Sequence, residues 1–402
     1  MLIAAVDPDS FLAVVAVGAL AGTLATMAAA RGILVPTVVA ELVLGVLIGP
    51  QVLGLEVTAL MTFFADLGLG MLFFFAGYEI DLRRISGQPL RLAVVGWLLS
   101  LVIAYTIGGL LAWAGIVLSL LYTGSALATT AIGTLIPVLS DTGELRSRMG
   151  TYLLAAGAVG EFGPILLLTL ILSGSGPVHN ALILLAFVGL AVAVALLAVR
   201  SSSPALRLFE QTIEKSSQLA VRWIVVLVFA LALLAFELGL DLLLGGFAAG
   251  LITRQLLQER EVPGFDSKLT AVAFGVFVPF FFVVSGMRLD VAALFSSWGA
   301  VAKMFLFFGL FLVVRGTPAL LLYRDILNRR ERLSLALFVS TQLPLVLAIT
   351  TVARETGNMH PTTAASLVCA AALSTLIFPM LGLRLRKGAP VDEPPETIAV
   401  AT

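Results

Sequence analysis

Charge is what this sequence has least of: of its 402 residues, only 12% are Asp, Glu, Lys or Arg. That is about half the share usual in a water-soluble domain. Apolar types fill 60% of the chain, more than a soluble fold of this length can hide while still covering its outside. The 24 basic and 24 acidic residues cancel, so no net field draws the chain to nucleic acid, and no nucleic-acid partner is expected. A single cysteine, Cys369, excludes an intramolecular disulfide. With only two histidines, His179 and His360, both in expected loops, no Cys/His metal cluster assembles. There is no intramembrane Ser/His pair and no Gly-rich phosphate loop with its Lys, so no enzyme chemistry and no cofactor are expected.

What is present is long apolar runs. A spanning helix needs about 20 mostly apolar residues, because lipid cannot satisfy backbone polar groups. Thirteen stretches qualify, at roughly 10–30, 33–50, 57–79, 91–113, 115–139, 150–173, 179–199, 217–236, 239–253, 269–287, 297–323, 331–353 and 361–384. The ninth is short and Gly-rich, as a tilted or partly re-entrant segment is. The first lacks the basic leader of a signal peptide and is expected to be retained. The tail from 388 to 402 is Pro-rich, acidic and expected to be disordered. The chain is thus expected to be an all-α, multi-pass protein of the cell membrane, with the lipid bilayer as its solvent.

The bases give the orientation. Nineteen of the 24 Lys and Arg fall in one alternate set of connections, and only Arg288 and Arg354 in the other. Positive charge marks the cytoplasmic side, which puts the N-terminus outside and the C-terminus in the cytoplasm. The three remaining bases, Arg222, Lys303 and Arg315, lie within expected spans.

Two spans look interrupted. The fifth contains Ser125, Thr129, Thr130 and Pro137, and the twelfth Ser340, Thr341, Gln342 and Pro344. Proline removes a helical hydrogen bond, and hydroxyls or Gln can re-satisfy the freed groups. The two lie seven spans apart, so equivalent helices run in opposite directions, as in an inverted repeat. Interrupted spans at matching places in two halves are a sequence pointer to a transporter's binding site. Two ordinary kinked helices would read the same way.

A charge in mid-bilayer costs at least about 2.5–3.5 kcal/mol and therefore usually faces a cavity or a partner. Glu161, in the middle of span 6, follows a run of small residues, and Gly163 and Pro164 come after it. Such a carboxyl can hold a proton or a small cation but cannot cheaply stand empty and charged; a protonated structural Glu is the plainer alternative. Arg315 sits deep in span 11 and needs an anion or several carbonyls nearby, as a partner for Glu161 or as a fixed structural pair. Arg222 and Lys303 are near enough to span ends to snorkel. Glu41 in span 2 and Asp66 in span 3 are accessory candidates for an entry route.

Five stretches carry a resemblance: AELVLGVLIGP (40–50), LFFFAGYEIDLRR (72–84), SALATTAIGTLIPVLSDTGEL (125–145), LLGGFAAGLI (243–252) and VPFFFVVSGMRLD (278–290). In this order and spacing the chain resembles the monovalent cation:proton antiporter-2 family, a sodium/hydrogen exchanger-like membrane domain. The resemblance implies about thirteen transmembrane helices in an inverted repeat with two crossed broken helices, a sodium/proton antiporter-like fold. It implies scaffold or dimerisation helices 1–3 in 1–90, core helices 4–6 in 91–173, and a linker helix 7 in 174–216. Scaffold helices 8–10 then fall in 217–296, core helices 11–13 in 297–387 and the tail in 388–402. It also implies a homodimer, with no nucleotide-binding C-terminal domain. Glu161 matches the family's ion-binding acid and Arg315 its span-11 base. Gly160 stands where the family usually has an acid or amide that partners that base.

The function expected is secondary active exchange of a monovalent cation, sodium or potassium, for protons by alternating access, electroneutral at one for one. Glu161 would carry proton and cation in turn, and oxygens around Thr129, Thr130 and Thr341 would complete the cation's shell. A cation channel or efflux pathway, or a non-transporting membrane subunit on the same scaffold, is the alternative.

Overall fold

The computed structural model describes residues 8–31, 35–80, 82–172, 182–191, 193, 218–238, 242–257 and 264–386. The expected disordered tail, His179 and part of the expected linker span lie outside them. Every regular element among the described residues is helical. Among the described residues nine helices are long and apolar enough to cross a bilayer, and four apolar helices are shorter (Thr37–Ile48, Leu120–Leu135, Leu182–Ala191 and Leu243–Leu257). Nine and four make thirteen, and each lies on one of the thirteen expected stretches.

Besides the short helices Leu82–Ile85 and Val291–Phe295, the helices in chain order are α1 (Pro8–Ala30), α2 (Thr37–Ile48), α3 (Ala59–Tyr78), α4 (Gln88–Trp113), α5 (Leu120–Leu127), α6 (Ile132–Asp141) and α7 (Arg148–Leu172). There follow α8 (Leu182–Ala191), α9 (Leu219–Glu237), α10 (Leu242–Leu257), α11 (Phe265–Met287) and α12 (Trp298–Leu322). The last three are α13 (Arg329–Val339), α14 (Pro344–Glu355) and α15 (Pro361–Arg386). Local chemistry sets several starts. Thr58 accepts from the Met61 N–H ahead of α3, and Ser297 accepts from the Ala300 N–H ahead of α12. Asn328 and Glu331 form a reciprocal capping box on α13, satisfying donors a helix start otherwise leaves orphaned.

The described residues cluster into two compact units. One gathers those of Met1–Arg31, Ala40–Asp81 and Ile165–Leu289; the other gathers those of Gly32–Val39, Leu82–Pro164 and Asp290–Thr402. In the first unit, small residues bring backbones into contact. A Cβ on Gly45 would overlap the Val283 carbonyl of α11, and one on Gly286 the Leu42 carbonyl of α2. Gly77, Gly246 and Gly250 do the same between α3 and α10. Lipid supplies no hydrophobic drive between helices, so close packing over small residues is what holds them. The glycines of AELVLGVLIGP and LLGGFAAGLI are therefore packing surfaces.

Two long helices are locally widened. Ala273–Phe277 of α11 and Leu312–Gly316 of α12 are π turns, each followed two residues later by a proline, Pro279 and Pro318. A proline ring crowds the carbonyl four residues back. That carbonyl, on Gly275 or Val314, lies inside each π turn, and widening the helix there makes room.

The second unit is built on two broken spans. The fifth is α5 and α6, parted at Thr129–Ala131, and the twelfth is α13 and α14, parted at Thr341–Leu343. Pro344 opens α14 at a first-turn position, where a missing N–H costs nothing. Pro137, in contrast, lies within α6 and does not mark the break. At one end of this unit Arg386 of α15 is buried between two acids, 3.0 Å from Glu144 Oε2 and 2.9 Å from Glu331 Oε1. It ties α15 to the start of α13 and to the turn after α6.

A carboxyl beside a helix break

The two breaks meet. The Ala131 N–H donates to Thr341 O at 2.8 Å, joining one gap to the other. Gln342 is the hub: its Nε2 donates to Leu127 O at 3.1 Å, and its Oε1 accepts from the Thr129 hydroxyl at 2.9 Å. Its backbone N–H donates to Ser374 Oγ at 3.0 Å, and its carbonyl accepts from the Thr375 hydroxyl at 3.0 Å. Trp97 Nε1 adds a bond to Ala128 O at 3.2 Å. Thr129, Thr130, Thr341 and Gln342 are all fully buried. The groups freed by breaking two helices in a dry interior are thus paired across the crossing, as buried polar groups must be.

Glu161 lies on α7 and is 3% exposed. The backbone N–H groups of Ile132 and Gly133, in the first turn of α6, hydrogen-bond its carboxyl. Its Oε2 is buried and has no partner. The first-turn donors and dipole of α6 favour negative charge there, while burial disfavours it. One oxygen is held and the other is free, so the group can bind a proton or a desolvated monovalent cation at the free side. Among the described residues, no three His, Cys, Asp or Glu converge on a metal-binding cluster.

Arg315 is 4% exposed and sits in the π turn of α12. Its Nε donates to Thr130 Oγ1 at 2.8 Å, Nη1 to Ser100 Oγ at 3.2 Å and Nη2 to Ala156 O at 3.1 Å. All three acceptors are neutral, and among the described residues the guanidinium makes no ion pair with Glu161 or another acid. Gly160 makes this arrangement fit: a Cβ there would overlap Arg315 Nη2 and come within 2.8 Å of Thr130 Oγ1. The Gly160 carbonyl also accepts from the Thr130 N–H at 3.0 Å.

Of the residues singled out in the sequence, Glu161, Gly160, Thr129, Thr130, Thr341 and Arg315 all fall in the second unit. The Thr129 and Thr130 hydroxyls, however, serve the crossing, and that of Thr341 caps the end of its own helix. Thr129 donates to Gln342, Thr130 to Val339 O at 2.6 Å and Thr341 to Leu337 O at 3.3 Å. Glu41 and Asp66 belong to the first unit. Glu41 is 3% exposed with an unpartnered Oε2, whereas Asp66 is exposed. Sequence reasoning missed Ser100, Ala156 and Trp97. It saw Gln342 only as one polar residue in a break, although a Gln within a broken span was itself the available signal.

Comparison with known proteins agrees with this architecture. The chain is similar to the Na(+)/H(+)-K(+) antiporter GerN of Bacillus cereus, 27% identical over 265 residues, covering 63% of this chain and 65% of GerN. It is also similar to the probable Na(+)/H(+) antiporter 3 of Methanocaldococcus jannaschii, 28% identical over 269 residues, covering 65% of this chain and 68% of that one. The matched stretches thus span about two thirds of these relatives. The solved structure of the sodium proton antiporter MjNhaP1 from Methanocaldococcus jannaschii superposes with a TM-score of 0.66 at 18% identity, covering 94% of this chain and 98% of that one. The fold is therefore that of a sodium/proton antiporter. Residues 16–383 match the transmembrane sodium/hydrogen exchanger family, to which this multi-pass membrane chain belongs.

Proposed function

We propose that this protein exchanges a monovalent cation, sodium or potassium, for protons across the cell membrane, and that the Glu161 carboxyl carries both. The observation that carries this reading is the half-partnered, buried Glu161 at the start of α6. Protonated, the carboxyl is neutral. Once it has given its proton to one bath, the anion is costly in a dry site unless a cation takes the proton's place. The same group cannot hold both, so loading one releases the other. One proton leaves per cation bound, and the exchange is electroneutral. The antiporters among its relatives support the same reading.

In this scheme the unit carrying Glu161 is the transport core, alternately open to the two baths. The other unit supplies the dimerisation scaffold of a homodimer, and the N-terminus faces out and the C-terminus the cytoplasm. Backbone and hydroxyl oxygens near the gap at Thr129–Ala131 complete the cation's shell. Wild-type protein in liposomes loaded with a pH-sensitive dye should dissipate an imposed pH gradient when sodium or potassium is added, with no dependence on an imposed voltage. Glu161→Gln keeps the shape, removes the titrating oxygen and should stop the flux. Unchanged flux in that variant would remove Glu161 from the mechanism, and voltage-driven net charge movement would reject one-for-one exchange.

A further inference from the structure

We propose that Arg315 and Tyr323 form a binding site for a small monovalent anion of the halide class, chloride under ordinary conditions, on the unit that carries Glu161. A guanidinium presents five N–H donors and stays charged when buried. Three of the five are taken, by Thr130, Ser100 and Ala156. One N–H remains on each terminal nitrogen. No acceptor of the three carries negative charge, and a buried cation without an anion is costly.

A small recess opens beside this group, lined by Arg315, Tyr323, Trp97, Ala156, Pro318 and Leu335 among others, with no acid in its wall. Trp97 spends its N–H on Ala128. The Tyr323 side chain interacts electrostatically with Arg315, and among the described residues its hydroxyl makes no hydrogen bond. The recess is therefore lined by one full positive charge, a phenol and an otherwise apolar wall. That set repels a metal cation and fits an anion. One resident charge matches one monovalent anion; a divalent one would leave a net negative charge in an apolar wall. A spherical halide accepts N–H and O–H donors without demanding a planar geometry. With the anion seated, the unit no longer presents an unbalanced positive charge to a cation approaching Glu161.

The test uses the purified full chain in detergent. Sodium bromide replaces sodium gluconate at constant sodium and ionic strength, and the thermal midpoint is read. The wild type should be stabilised with saturation, and Tyr323→Phe should need about tenfold more bromide, the effect of losing one hydrogen bond to a charged group. Crystals soaked in bromide should show an anomalous peak beside Arg315. Equal midpoints in the two salts, a non-saturating rise identical in both proteins, or bromide peaks only elsewhere would overturn the site. None of these readouts needs transport, so they stand apart from any failure of the exchange reading.

Discussion

Gly160 shows what a missing side chain can do. Its place on α7 is filled by the end of Arg315, which lies where a Cβ would go. Gly160→Ala should therefore push the guanidinium off Ala156 and Thr130 and cost about 1–3 kcal/mol, the usual range for overpacking a filled site. Gly309, on the same helix as Arg315, has nothing within 4 Å of its would-be Cβ. Gly309→Ala should be neutral or stabilising by up to about 1 kcal/mol. Thermal denaturation of the two variants decides it, and equal midpoints would mean that Arg315 moves aside freely. At this scale Glu161 and Arg315 were legible because a charge inside an apolar run has few bland explanations. The partners of Arg315 were not legible. Ser100 and Ala156 are ordinary residues in apolar helices, and only the fold brings them to the guanidinium.

Among the elements, the broken spans were legible and their exact gaps were not. Proline marked the twelfth correctly, because Pro344 starts α14. In the fifth, Pro137 sits inside α6 while the gap falls at Thr129–Ala131. The Thr130 and Ala131 N–H groups leave the helix to bind Gly160 O and Thr341 O. Those bonds reach across the chain and leave no local trace. The π turns were likewise invisible to hydropathy, although each precedes a proline by two residues. Gln342 is the side chain whose loss should loosen the crossing most. Gln342→Leu keeps the bulk but strands Leu127 O, at about 1–3 kcal/mol for a group left unpaired in the interior, while the Thr129 hydroxyl keeps its bond to Ala126 O. The variant should melt at clearly lower temperature and lose exchange; a wild-type midpoint would show that water replaces the lost bond at no cost.

Across the whole molecule, the expected thirteen spans and the bias of basic residues predict an orientation that labelling can check. With Cys369 replaced by Ser, Asn358→Cys between α14 and α15 should react with an impermeant maleimide added outside intact cells. Ser86→Cys between α3 and α4 should react only after the membrane is opened. Both positions are exposed, so the reverse pattern would invert the topology. The nine long spans were legible because lipid demands about 20 apolar residues per crossing, and the four other expected stretches carry shorter apolar helices. The proposed exchange turns on one carboxyl holding a proton or a cation but never both. The direct measurement is proton release from purified, weakly buffered protein on addition of sodium or potassium. The wild type should release one proton per chain as cation binds, and Glu161→Gln should release none. Equal release from both proteins, or cation binding to the wild type with no proton set free, would contradict it.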